Sequence, residues 1–165
     1  MVSLDVLENL DIFNELTDEE LSKVADLCSE EEYQRDDRLF TEGEPAREMW
    51  IVTEGEVELR FEMPNAAPST SRTAMSTHHK GAPESQVFGW SCFIPPYKMR
   101  LSAFCVTRKC TVIKISASAL NNLMESEPAL GLKLMKYVVQ VVGFRFKQFQ
   151  DEVAKFMGIG MMNTW

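Results

Sequence analysis

Phe88-Gly89-Trp90-Ser91-Cys92, followed eleven positions after the glycine by Arg100-Leu101-Ser102-Ala103, has the residue types needed to hold an anion. A glycine lets backbone approach another group closely. If the next residues open a helical turn, their free N–H groups point at whatever sits above them and favour negative charge. An arginine returning to the same spot supplies a bidentate, charge-assisted phosphate ligand. The candidate ligand-binding set is therefore Phe88, Gly89, Trp90, Ser91, Cys92, Arg100, Leu101 and Ser102. The same residues also suit a plain tight turn with a solvated arginine. No catalytic set and no metal set is expected. His78 and His79 are adjacent, so they lie on opposite sides of an extended backbone with no third ligand near them.

These residues sit in a chain of 165 residues, 45% hydrophobic, which is enough for one domain with a core. The start, Met1-Val2-Ser3-Leu4-Asp5, lacks the basic flank and apolar segment of a secretory signal. The uncharged run from Tyr137 to Phe144 is far shorter than the ~20 residues of a membrane span. A cytoplasmic protein with no membrane contact is the expectation. Cys28, Cys92, Cys105 and Cys110 show no CxxC spacing and read as reduced, apolar fillers.

Net charge is −8, unevenly spread. Residues 1–63 hold 20 of the 25 acids and 5 of the 17 bases, and the remainder is basic. An acidic chain is repelled by nucleic acid. The glycine–arginine stretch lies in the basic part, which suits a small anionic ligand; the asymmetry is equally compatible with solvated faces.

Local patterns give the scaffold. Leu4, Leu7 and Leu10 suggest a short helix from Leu4 to Phe13, and Thr17-Asp18-Glu19-Glu20 is a capping box opening a helix through Cys28. From residue 31 the period becomes strand-like. Tyr33, Leu39-Phe40, Met49 to Val52, Glu56 to Glu62, Leu101 to Thr107 and Thr111 to Ile115 are candidate strands. The third and fourth are expected to form a hairpin at Thr53-Glu54-Gly55. Residues 63–86, rich in Ser, Thr and Pro, read as a long disordered loop.

Ser116 caps a helix through Met124, and Pro128 helps to open a last helix that should stop at Gly158. On it Met135, Val139, Val142, Phe146, Phe149, Val153 and Phe156 are spaced 4, 3, 4, 3, 4, 3, a heptad seam for a homodimer. A second stripe, Leu130, Leu134, Val138 and Val141, is left to cover the domain itself.

Two N-terminal helices, short strands, the glycine–arginine cassette and two closing helices, in that order, resemble the cyclic nucleotide-binding domain of the catabolite activator protein superfamily. The residues that carry the likeness are Leu10-x-x-Phe13-x-x-Leu16, Phe40-Thr41-Glu42-Gly43-Glu44, Met49-Trp50-Ile51-Val52 running into Glu54-Gly55-Glu56-Val57, then Phe88-Gly89, Arg100-x-Ser102-Ala103 and Val112-Ile113-Lys114-Ile115-Ser116. The likeness spans about residues 4–156 and most resembles a divergent bacterial branch with a Gly-Trp-Ser…Pro-Pro-Tyr cassette.

The resemblance implies an α+β fold: an antiparallel β-roll or jelly-roll sandwich with N-terminal helices and a long C-terminal helix. It implies a single domain over 1–165, with helices over 1–30, the roll over 31–115 and helices over 116–157. It also implies a non-enzymatic regulatory module whose Gly89 and Arg100 hold a cyclic phosphate, the ligand being cAMP, cGMP or another small anion. The output would pass through the last helix, with a protein partner unidentified.

Three features depart from the family pattern. Trp90 occupies the position of a ribose-binding glutamate, Arg100 comes one residue late, and Met99 stands where the family has proline. Losing that carboxylate costs about 1.5–3 kcal/mol, roughly ten- to a hundredfold in affinity. With about ten residues after the seam, no DNA-binding helix-turn-helix is expected. Two other readings compete. One is a degenerate domain kept for dimerisation and protein contact. The other is a metal-dependent oxygenase on a similar roll, which would need a His-x-His set that this sequence lacks.

Overall fold

The computed structural model describes residues 2–62, 74–76 and 82–162, those at 74–76, 156 and 159–162 through their backbone alone. The first expected helix divides into α1 (Leu4–Glu8) and one 3-10 turn at Asp11–Phe13. Leu10, in extended conformation, breaks the helix between them, and its N–H donates to Leu7 O at 3.0 Å. Leu7, Leu10, Ile12 and Phe13 are all buried. Next, α2 (Asp18–Ala25) opens on the expected capping box. Glu20 N donates to Thr17 Oγ1 at 3.3 Å, and Thr17 N donates back to Glu20 Oε2 at 2.8 Å. Cys28 is not in this helix; it begins the first strand.

The strands are β1 (Cys28–Gln34), β2 (Arg38–Phe40), β3 (Glu48–Glu54), β4 (Val57–Arg60), β5 (Ala74–Ser76), β6 (Val87–Phe88), β7 (Ser102–Cys105) and β8 (Lys109–Ser116). They form two antiparallel four-stranded sheets, in the orders β1-β8-β3-β6 and β2-β7-β4-β5. With the flanking helices this is the α+β β-roll. Of the expected loop 63–86, residues 74–76 form β5 and Pro83–Gln86 a 3-10 turn. Residues 63–73 and 77–81 of that loop, with His78 and His79, lie outside the described residues.

The expected hairpin at residues 53–55 is not one. β3 and β4 belong to different sheets, and the turn carries the chain across the corner between them. A turn signal specifies a change of direction; long-range packing decides which strand becomes the neighbour. The run Met49-Trp50-Ile51-Val52 is buried throughout, so β3 takes a place between β8 and β6. In β4 only Val57 and Leu59 are buried, as its alternation predicts, and it pairs with β7 and β5. Both sheets contribute to one core, in which Ile51, Phe88, Ile113 and Ile115 meet Val57 and Ala103.

Folding also brings the two oppositely charged parts of the sequence together. Glu31 pairs with Lys114 at 2.7 Å, Glu32 with Lys109 at 2.5 Å and Glu20 with Lys133 at 2.6 Å. The asymmetry is thus partly a matter of internal pairing between β1 and β8 and between α2 and the last helix. Lys114 and the Tyr33 hydroxyl hold the Glu31 carboxyl below the usual range. A lowered carboxylate pKa gives stability that is present above the unfolded value and lost as pH falls through the folded one. Stability should therefore decline below about pH 4. In urea melts at pH 6 and pH 3, Lys114→Met should narrow the gap between the two midpoints. An unchanged gap would refute this role for the pair.

Two helices close the chain, α3 (Ala117–Ser126) and α4 (Pro128–Met162). Ser116 Oγ caps α3, accepting from Ala119 N at 3.5 Å. Leu130, Leu134, Val138 and Val141 are buried in the core of the domain, as their spacing predicts. α4 does not stop at Gly158. A helical glycine costs only about 1 kcal/mol relative to alanine, and it ends a helix only by taking the left-handed cap conformation. Among the described residues no helix is long and apolar enough to cross a membrane.

Candidate anion-binding site

β6 brings the chain to the cassette with Phe88 buried and in register with Trp50 of β3, their rings 6.0 Å apart. The next residue has φ +78°. A side chain there would place its Cβ 2.6 Å from Trp50 Cδ1 and 3.0 Å from Glu48 O, so glycine is required twice over. Trp90–Phe93 then form a 3-10 turn, Cys92 N donating to Gly89 O at 3.1 Å. The amides of Trp90 and Ser91 stand ahead of that first turn bond, which is the arrangement that favours an anion.

The chain returns along residues 43–46. Ala46 N donates to Tyr97 O, Met99 N to Glu44 O and Gly43 N to Met99 O, each at 2.8 Å. This short antiparallel clamp fixes where Arg100 emerges. Arg100 and Leu101 thereby meet Phe88, Gly89, Trp90 and Ser91 around one cavity of about 80 Å³. Phe40, Leu59 and Met99 complete its apolar wall.

Two members of the expected set fall elsewhere. Cys92 is buried off the cavity, and burial pushes its thiol up to about 12, leaving it protonated and inert. Ser102 is fully buried, and its Oγ accepts from Glu42 N at 2.8 Å. It ties the start of the 43–46 clamp to β7. The four cysteines are free and buried.

The sequence reading missed Arg145. From α4 it lines the cavity while only 6% exposed. Nη2 donates to Ser85 O at 2.6 Å, and Nη1 to Gln148 Oε1 at 2.9 Å. Burial lowers its pKa to about 10, so it stays charged at neutral pH. A signal was present: Arg145 follows Leu130, Leu134, Val138 and Val141 at helical spacing, a cation in phase with a buried stripe. Among the described residues, none that lines the cavity is a carboxylate.

On the other side of α4, Val139, Phe146, Phe149 and Val153 of the expected seam are exposed, from 40% to 70%. Met135 and Val142 are half-buried and pack against the core of their own domain. The side chain of Phe156 lies outside the described residues.

The family model described as "Cyclic nucleotide-binding domain" matches residues 30–127, more than half of the chain. Among solved structures, a protein of Geobacter metallireducens GS-15 described as cyclic nucleotide-binding is 29% identical. It superposes with a TM-score of 0.72 over 88% of this chain and 99% of its own. A cyclic nucleotide-binding domain from Methylobacillus flagellatus KT is 22% identical, with a TM-score of 0.70 over 92% and 80%. The sensor domain of a Pseudomonas aeruginosa transcriptional regulator is 16% identical, with a TM-score of 0.66 over 87% and 90%. At such identities the latter two speak for the fold alone. No curated protein sequence matches.

Proposed function

Because the chain belongs to the cyclic nucleotide-binding domain family, we propose that it is a non-enzymatic ligand-sensing module with an altered cassette. A small anion is held between the Trp90 and Ser91 amides and Arg100, and occupancy is passed on through α4. One observation carries this reading: residues of the cassette and of α4 line the same cavity, and Arg145 of α4 hydrogen-bonds the Ser85 carbonyl two residues before β6. A ligand in that space touches the wall and the output helix at once. The regulatory domain of a Toxoplasma gondii protein kinase, similar in fold, was crystallised with cAMP, which makes cAMP and cGMP the first probes.

Calorimetry of the full chain with cAMP, cGMP, inorganic phosphate and small organic anions tests the proposal. Saturable binding by at least one of them, lost in Arg100→Ala, supports it. If every probe gives only heats of dilution, the reading fails and a second one takes its place.

That second reading is a dimerisation and protein-interaction module, and the exposed apolar stripe of α4 favours it. The two readings share one feature, a homodimer built on that stripe.

A further inference from the structure

The side chains around the cavity say more about its ligand than the cassette does. Phe40, Leu59, Phe88, Trp90, Met99 and Leu101 make the walls apolar. Against them stand Arg100, Arg145 and Ser91, and among the described residues no carboxylate or side-chain amide lines the space to take sugar hydroxyls. Arg100 is exposed and Arg145 buried, so one cation faces solvent and the other lies deep. The volume is also small, about 80 Å³, against roughly 300–1,000 Å³ for pockets that enclose a drug-sized ligand.

We infer that Arg145 is a second anion-binding residue of this cavity, and that its ligand is a small anion on an apolar body, of the kind of an aryl phosphate or aryl carboxylate, in preference to a sugar phosphate. This inference rests on the sensing role proposed above. The anionic head lies between the two guanidiniums while the body packs on Phe40, Leu59 and Trp90. Arg145 already donates to a neutral carbonyl, that of Ser85. A carbonyl offers the guanidinium only a dipole, whereas an anion adds the attraction between opposite charges in a little-hydrated site, so a phosphate or carboxylate competes well for the same N–H. Drawing Arg145 from the Ser85 carbonyl loosens the joint between α4 and the segment leading into β6. Burial depresses the Arg145 pKa, and a neighbouring anion would raise it again.

The test is calorimetry of the full-length protein with phenyl phosphate, benzoate, inorganic phosphate, cAMP and cGMP, on wild type, Arg145→Gln, Arg145→Lys and Arg100→Ala. Phenyl phosphate or benzoate should bind more tightly than inorganic phosphate and either cyclic nucleotide. Whichever of the two binds better identifies the head group as phosphate or carboxylate. Affinity should fall roughly ten- to a hundredfold in Arg145→Gln and recover in part in Arg145→Lys. Where Arg145→Gln does not fold, as judged by its melting curve, Arg145→Met supplies the comparison with a side chain of similar length. An Arg145→Gln affinity equal to wild type, with binding lost in Arg100→Ala, overturns this inference and leaves the sensing role standing. So does tighter binding of cAMP or cGMP than of either aryl anion. Absence of binding by every probe overturns both.

Discussion

Gly55→Ala is expected to destabilise the protein by about 2–6 kcal/mol, from left-handed backbone strain and overpacking together. Gly55 has φ +78°, and an alanine Cβ would sit 2.3 Å from Lys109 O and 2.6 Å from Thr107 Oγ1. The first of these is backbone at the start of β8, and the second is a hydroxyl held by its own bond to Lys109 O at 2.9 Å. Neither gives way cheaply. This is the corner where the chain leaves the sheet of β3 for the sheet of β4, so a shift there disturbs both. Gly43 provides the control. Its φ is +87°, yet a Cβ there meets nothing within 4 Å. Gly43→Ala should thus cost only the backbone part, about 1–3 kcal/mol. For a chain of this size each kcal/mol lowers Tm by roughly 2–4 °C. Thermal melts of the two variants should differ by several degrees; equal melting temperatures would show that the corner has room to relax.

The second large effect concerns assembly. Phe146→Glu combined with Phe149→Glu should convert a dimer into a monomer. Both rings are more than half exposed in the single chain, and burying a phenylalanine side chain contributes about 1.5–3 kcal/mol. In a two-fold interface each change acts twice. With a little over half of each ring left to bury, the loss is about 3–7 kcal/mol, which is roughly two to five decades in Kd, before repulsion between the new carboxylates is added. The fold should survive, because the stripe that covers the domain, Leu130, Leu134, Val138 and Val141, is untouched. Sedimentation equilibrium of wild type and variant, with melting curves for both, decides the matter. A monomeric wild type, or a variant that stays dimeric, rules the interface out.

These two sites show how unevenly the chain revealed itself. Whatever is governed by neighbours a few residues apart was legible. The capping box at Thr17, the alternation of β4, the glycine before Trp90 and the separate stripes of the last helix all follow from helix and strand periods and from turn chemistry. The resemblance carried the cassette, and the cavity does bring Gly89 and Arg100 together. Cys92 and Ser102 were drawn into the expected set because they adjoin those residues in sequence. Cys92 lies in a 3-10 turn, where successive residues are about a third of a turn apart, and Ser102 in a strand, where they face opposite ways, so sequence proximity to a site is poor evidence of contact with it.

Short-range rules thus supply the inventory: most of the helical and extended segments, the place of the glycine–arginine pair, and the face of the last helix that the domain needs. Long-range packing settles the rest: β3 and β4 part into different sheets, the acids of β1 meet the lysines of β8, and Arg145 enters the cavity from more than 40 residues beyond Arg100. The physical reason is range. Caps, turns and periodicity act over about one turn or one hairpin, whereas the choice of neighbouring strand and the burial of a cation depend on packing between segments that meet only once the core has formed.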